Sequence, residues 1–136
     1  MSNELNDNLA IIIPAFNEAG RIASAISGIR KFSNADIVVV DDGSDDRTAS
    51  EARAAGARVI ELPFNLGYGS ALQTGFKYAL DRGYEFAVQM DADGQHDPMS
   101  IKALIEPVTA DEVDVVIGSR FLDKGNYKAP FVRRMG

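Results

Sequence analysis

Short apolar runs alternate with amphipathic stretches along most of the chain. The apolar runs are almost continuous, as is typical of strands that are covered on both faces of a sheet. They occupy residues 9–15, 37–40, 58–62, 85–90 and 113–117. Between them, apolar residues recur at the spacing of a helix, which predicts helices at about 22–32, 47–55, 71–83 and 98–108. In the third helix, the predicted packing face consists of Ala71, Leu72, Phe76, Ala79 and Leu80.

Strands that alternate with helices in this way predict βαβ units. The expected fold is therefore α/β, with three αβα layers around a mostly parallel sheet. The pattern predicts one domain over residues 9–121, a disordered N-terminal tail over residues 1–8 and a separate segment over residues 122–136.

The composition fits a globular domain and excludes several classes of protein. The chain has 136 residues, of which 46% are hydrophobic and 25% are charged, enough for one compact core. It has no cysteine, which excludes a disulfide scaffold, a Cys-ligated zinc site and a cysteine nucleophile. No apolar run reaches the length of a membrane-spanning helix and no secretory signal is visible, so a cytoplasmic protein is expected.

The net charge of −6 is unevenly distributed along the chain. Residues from Arg120 onward carry +4, so the preceding residues carry −10. The acidic charge of the residues before Arg120 argues against a protein that binds nucleic acid by neutralising phosphates. Arg133 and Arg134 in the basic tail are either phosphate contacts or solvated side chains.

Each predicted strand is followed by an unusual group of polar and glycine residues. These groups are residues 14–18, 41–44, 65–69, 91–97 and 118–120. In an open parallel sheet, ligands bind beyond the carboxyl ends of the strands. The five groups therefore predict a binding site along one edge of the sheet.

Asp91 and Asp93 are separated by one residue directly after the fourth strand, and Gln95 follows two residues later. Oxygen ligands favour a hard cation such as Mg²⁺ or Mn²⁺. The alternative is a turn with solvated aspartates. A calcium-binding EF-hand loop is excluded, because His96 stands where that loop requires glycine.

The groups at residues 41–46 and 67–69 have alternative interpretations. Asp41 or Asp42 is placed to accept hydrogen bonds from a nucleobase or ribose, while Asp45 or Asp46 is placed to cap the next helix. Backbone N–H groups at Gly67 and Gly69 are candidates for binding an anion. Dinucleotide-binding and P-loop patterns do not match this spacing, and the single histidine without a nucleophile elbow disfavours a hydrolase.

Taken together, these segments resemble family 2 glycosyltransferases of the GT-A fold, particularly the branch that glycosylates polyprenyl phosphates. That branch includes dolichyl-phosphate mannose synthases and undecaprenyl-phosphate glucosyltransferases. The resemblance is carried by residues 11–18, 38–48, 65–76, 89–98 and 117–121.

The resemblance implies a role for each matching residue. Pro14, Ala15, Phe16 and Glu18 would line the nucleotide pocket, with Phe16 standing where many relatives have tyrosine. Val40 and Asp42 would contact the base and ribose, and Arg120 the donor phosphates. Asp91, Ala92 and Asp93 match the family's Asp-x-Asp motif, which would bind the donor, act in catalysis and, together with Gln95, hold the metal.

The implied reaction is the metal-dependent transfer, with inversion, of a sugar from a UDP- or GDP-linked donor. The expected acceptor is a polyprenyl phosphate, whose phosphate is already ionised. A saccharide hydroxyl, which would need a general base, is the alternative acceptor. Relatives continue beyond the fifth strand, so the chain resembles the donor-binding half of a longer enzyme, with residues 122–136 beginning the acceptor side. The whole protein is expected at the inner face of a membrane, and a homo-oligomer is left open.

Three alternatives lie outside this family. A response-regulator receiver shares the paired acids and the metal, but its acid pair ends the first strand. A sugar-1-phosphate nucleotidyltransferase would have a glycine-rich basic loop where this chain has residues 14–18. A non-catalytic binding or regulatory fragment is the third.

Overall fold

The computed structural model describes residues 6–93, 115–117 and 131–134. The elements in chain order are β1 (Leu9–Ala15), α1 (Ile22–Arg30), β2 (Asp36–Asp41), α2 (Thr48–Ala54), β3 (Arg58–Glu61), α3 (Tyr68–Asp81), β4 (Phe86–Gln89), β5 (Val115–Ile117) and β6 (Phe131–Arg134). The α/β class predicted from the sequence is confirmed. The helix predicted at 98–108 lies outside the described residues.

The described strands form one mixed sheet in the order β3-β2-β1-β4-β6-β5. The strands β3, β2, β1 and β4 are parallel neighbours. Strand β6 is antiparallel to both β4 and β5, so it separates the two strands that the sequence predicts as consecutive members of a parallel sheet.

Strand β6 is absent from the sequence-based prediction, which assigns residues 122–136 to a separate segment. In the structure Phe131 pairs with Gln89 of β4 and with Ile117 of β5. The strand has four residues, and two of them are arginines, so it lacks an apolar run that would reveal it. Part of the basic tail thus joins the same sheet, while the acceptor-side assignment stays a prediction.

Alternate residues of the central strands pack on opposite faces of the sheet, because side chains of a strand point to alternate sides. Leu9, Ile11 and Ile13 pack with buried residues of α1 and α2 on one face. Ala10 and Ile12 pack with α3 on the other face. Since all seven residues of β1 are buried, this strand lies at the centre of the three layers.

Two residues of the predicted N-terminal tail, Asn6 and Asn8, make hydrogen bonds to the domain. Asn6 is buried, and its side-chain Oδ1 accepts a hydrogen bond from the Ser33 hydroxyl at 3.0 Å. The carbonyl of Asn8 accepts hydrogen bonds from the backbone N–H groups of Glu85 and Phe86. These polar contacts join residues 6–8 to the rest of the domain, and no hydrophobic pattern could have indicated them.

Helix α3 approaches the sheet through small residues. Its buried residues are Ala71, Gly75 and Ala79, whereas Leu80, predicted on the packing face, is 54% exposed. A Cβ atom at Gly75 would lie only 2.4 Å from Cγ2 of Ile12 and 3.3 Å from Cγ2 of Val40. The absence of a side chain at Gly75 therefore sets how closely α3 packs over β1 and β2.

Two glycine-to-alanine substitutions should have opposite effects on stability. Gly75→Ala should lower the free energy of unfolding by about 1–3 kcal/mol, because the added methyl group overpacks the buried Ile12. At Gly28 in α1, an added Cβ atom would have no other atom within 4 Å. Gly28→Ala should therefore raise the free energy of unfolding by about 0.5–1 kcal/mol through helix propensity. Urea unfolding measures both, and equal effects of the two substitutions would contradict the close packing of α3.

Candidate active site

The carboxyl ends of the central parallel strands meet at one edge of the sheet. Ala15 at the end of β1 is in register with Asp41 at the end of β2, and β4 lies on the other side of β1. A cavity of about 280 Å³ opens beyond these ends. It is lined by Pro14, Ala15, Phe16, Glu18, Asp42, Asn65, Gly67, Tyr68, Ala71, Asp91, Ala92 and Asp93.

The structure brings together most residues that the sequence singles out. Every pocket residue predicted from the first strand and from the Asp-x-Asp motif lines the cavity, as does Asp42. Val40 does not line it, because its side chain is fully buried in the core cluster beneath α3. Gln95 and Arg120 lie outside the described residues, and the individual roles of all these residues stay predictions.

Asp42 anchors the loop between β3 and α3. The residue is only 4% exposed, and its carboxylate accepts hydrogen bonds from the N–H of Leu66 at 2.8 Å and the N–H of Gly67 at 3.0 Å. The Gly67 N–H, which the sequence suggests as an anion-binding group, therefore already donates its hydrogen bond to Asp42. Asp42 shapes the wall of the cavity through this loop.

Gly43 permits the same loop to cross close to the end of β2. Its φ angle is +73°, in the left-handed region, and a Cβ atom there would lie 2.4 Å from the carbonyl carbon of Phe64. The neighbouring Asp41 is also buried and accepts a hydrogen bond from the Ser44 N–H at 3.1 Å. The two acids and the glycine at the carboxyl end of β2 thus form a turn and an anchor for the loop.

Tyr68, the first residue of α3, lies beside the Asp-x-Asp motif. Its hydroxyl group donates to Oδ1 of Asp91 at 3.3 Å, and the side-chain amide of Gln89 donates to the same hydroxyl. Burial, reinforced by the charge of Asp91 and this hydrogen bond, raises the pKa of Tyr68 to about 12. Tyr68 is therefore a neutral hydrogen-bond donor at physiological pH.

Tyr68, Asn65 and Ala71 line the cavity, but the sequence analysis gives none of them a role in binding. The group at residues 65–69 stands out in the sequence, yet only its glycines suggest a function. The position of Tyr68 one residue after a loop glycine, at the start of a helix, was the available signal.

The donor set at this edge suits a hard divalent cation. Within the described part of the chain, no three His, Cys, Asp or Glu side chains are grouped so as to hold a metal by themselves. Asp91 and Asp93 are both partly exposed and line the cavity. One or two carboxylates, completed by water or substrate phosphates, commonly bind Mg²⁺, so these residues fit such an ion.

Among the residues that the structure describes, no helix has both the length and the apolar character needed to cross a membrane.

An α/β sheet with an acidic cavity at the carboxyl ends of its strands agrees with the family resemblance seen in the sequence. The model of the family described as Glycosyl transferase family 2 matches residues 10–134. The chain belongs to this family. The resemblance seen in the sequence is confirmed, and the receiver and nucleotidyltransferase alternatives are rejected.

Several relatives have names that refer to dolichyl phosphate or to a polyprenol phosphate. The chain is 32% identical over 144 residues to UDP-N-acetylglucosamine--dolichyl-phosphate N-acetylglucosaminyltransferase of Methanococcus voltae, covering 93% of this chain and 57% of that protein. It is 35% identical over 125 residues to polyprenol monophosphomannose synthase of Mycolicibacterium smegmatis, and the match covers 87% of this chain and 47% of that protein. The chain thus spans about half the length of these relatives.

A solved structure shares the fold. Glucosyl-3-phosphoglycerate synthase from Mycobacterium tuberculosis, in complex with Mn²⁺, UDP and glucosyl-3-phosphoglycerate, superposes with a TM-score of 0.66 at 28% identity. The match covers 80% of this chain and 42% of that one. The predicted GT-A architecture is confirmed.

Replacing Asp42 should release the loop between β3 and α3. Asp42→Asn retains one acceptor oxygen but presents an amide N–H₂ to the second backbone N–H. We expect a loss of about 1.5–3 kcal/mol in the free energy of unfolding and faster hydrogen exchange at Leu66 and Gly67. Asp81→Asn, at an exposed carboxylate of α3, is the matched control and should change little. Unchanged exchange at Leu66 and Gly67 would contradict the anchoring role.

Proposed function

We propose that this chain binds a UDP- or GDP-linked sugar together with Mg²⁺ or Mn²⁺ in the cavity at the sheet edge. The whole protein would transfer the sugar, with inversion, to a polyprenyl phosphate. One observation carries the proposal. The first-strand loop and the Asp-x-Asp residues, which the family resemblance assigns to donor and metal, line a single cavity.

The charge of the cavity supports a requirement for a metal. Four carboxylate residues line it, and no lysine or arginine is among the described residues that do so. They are Glu18, Asp42, Asp91 and Asp93. A diphosphate brought into this cavity alone would be repelled. A divalent cation held by Asp91 and Asp93 would offset this repulsion and, as a Lewis acid, stabilise charge on the leaving diphosphate.

Other lining residues suit the nucleoside end of the donor. Phe16 is 43% exposed and offers a ring face against which a base can pack. Pro14, Ala15 and Ala71 supply apolar surface to the same cavity. Asp42, whose carboxylate oxygens already accept two backbone N–H groups, would support the nucleoside mainly through the loop at residues 65–68.

The acceptor is proposed from the relatives together with the chemistry. The name of one relative describes transfer of N-acetylglucosamine to dolichyl phosphate, and the name of another describes synthesis of polyprenol monophosphomannose. A phosphate oxygen is already a nucleophile at neutral pH, so the described residues need not supply a general base. Since such an acceptor is carried by lipid, the whole protein would act at the cytoplasmic face of a membrane.

Nucleotide binding should depend on the metal. UDP or GDP at about 100 times its Kd should raise the Tm of this chain by several degrees in the presence of Mn²⁺. EDTA should remove the shift, and Asp93→Ala should abolish it, whereas Asp81→Ala should keep it. Thermal unfolding monitored by circular dichroism provides the measurement. A full shift in EDTA, or in Asp93→Ala, would contradict the proposed metal site.

The acceptor can be identified with the whole protein and a radiolabelled nucleotide sugar. With undecaprenyl phosphate present, we expect label to enter the organic phase in a form that mild acid releases. With a saccharide acceptor alone, we expect no labelled product. Label that appears only in a water-soluble saccharide would favour the hydroxyl-acceptor alternative.

A further inference from the structure

The loop between β1 and α1, which contributes Phe16 and Glu18 to the cavity, is held by side chains of a different segment. Four consecutive backbone N–H groups each donate to a side chain of residues 44–51. Asn17 N–H donates to Ser44 Oγ at 2.8 Å, Glu18 N–H to Thr48 Oγ1 at 2.9 Å, Ala19 N–H to Asp46 Oδ2 at 3.2 Å and Gly20 N–H to Glu51 Oε2 at 2.7 Å. We call these four hydrogen bonds the loop clamp.

The loop needs such external partners. Helix α1 begins at Ile22, and its N-cap residue Arg21 makes no side-chain capping hydrogen bond. Asn17 has a φ angle of +52°, in the left-handed region that non-glycine residues seldom adopt. In return, the Asn17 side chain accepts a hydrogen bond from the Asp45 N–H at 3.0 Å. These contacts with residues 44–51 add to those within the loop, where the Arg21 and Ile22 N–H groups donate to the Glu18 carbonyl.

Asp46 and Thr48 are the centre of the clamp. One carboxylate oxygen of Asp46 accepts from Ala19, and the other accepts from the Thr48 backbone N–H at 2.9 Å and from the Thr48 hydroxyl. Because the Thr48 hydroxyl donates its hydrogen to Asp46, its oxygen is free to accept the Glu18 N–H. The hydrogen bond from the Thr48 hydroxyl is the largest contribution that lowers the pKa of Asp46. The carboxylate is thus ionised at neutral pH.

Neither residue touches the cavity, although the loop that they hold does. We propose that Asp46 and Thr48 are positioning residues for donor binding, which hold the loop at residues 16–20 in the conformation that places Phe16 and Glu18 against the nucleotide. This inference rests on the proposed function. Thr48 is fully buried at the start of α2, and its hydrogen bond with Glu18 joins this helix to the loop. The exposed Asp46 orients the Thr48 hydroxyl.

A neighbouring carboxylate provides a matched control. Asp46→Asn removes one acceptor of the clamp, whereas Asp45→Asn makes the same charge change at a side chain outside it. For Asp46→Asn we expect about tenfold weaker binding of UDP in the presence of Mn²⁺ and about tenfold faster hydrogen exchange at Ala19. Asp45→Asn should stay within twofold of the wild type in both measurements.

Thr48 is tested by loss and rescue of its hydroxyl group. Thr48→Val keeps the shape of the side chain but removes the acceptor for Glu18, so it should weaken UDP binding and speed exchange at Glu18. Thr48→Ser should restore both. If Thr48→Val fails to fold, Asp46→Asn decides alone, because Asp46 is exposed and its loss leaves the core intact.

These measurements distinguish a failure of the proposed function from a failure of the positioning role. If the wild-type chain binds neither UDP nor GDP with Mn²⁺, the proposed function fails and the positioning role fails with it. If the wild type binds but the folded Asp46→Asn variant binds equally well, only the positioning role is overturned. Equal losses in Asp45→Asn and Asp46→Asn would also overturn it, because they would indicate a general effect of charge.

Discussion

The complete burial of strand β1 is the constraint on which the rest of this structure depends. Both edges of the strand are paired, with β2 on one side and β4 on the other, and helices cover both of its faces. A strand in this position can present polar groups only at its ends. The parallel pairing places the carboxyl ends of its neighbours beside its own, so the loops that follow β1, β2 and β4 meet around one cavity. Strand β6 extends the same sheet beyond β4.

The acidic residues of the chain divide into structural and chemical sets around that cavity. Asp41 and Asp42 hold backbone N–H groups of the turn and loop that follow β2 and β3. Asp46 holds the loop that follows β1. Asp91 and Asp93 line the cavity itself. The acidic residues of this cavity therefore have two roles: some build its walls, and others, in our proposal, hold the metal.

Much of this could be predicted from the sequence, because burial on both faces leaves a continuous apolar run and glycine or aspartate marks the loops. The strands β1 to β4 and the helices between them follow from that pattern, as does the cavity edge with Phe16, Asp91 and Asp93. Strand β6 could not be predicted, since two of its four residues are arginines and its pairing is long-range. The cavity role of Tyr68 and the clamp around Thr48 depend on hydrogen bonds between segments more than 20 residues apart, which no local periodicity encodes. Val40 shows the reverse case, in which a motif residue lies in the core.

In the function that we propose, one cavity at the sheet edge binds the nucleotide diphosphate together with a divalent cation. Two-dimensional ¹H–¹⁵N NMR of the labelled chain, titrated with UDP in the presence and absence of Mg²⁺, tests it most directly. With Mg²⁺, we expect the chemical-shift changes to concentrate at residues 14–18, 42, 65–68 and 91–93, and to vanish largely when Mg²⁺ is removed. Changes centred elsewhere on the chain, or changes of the same size without the cation, would contradict it.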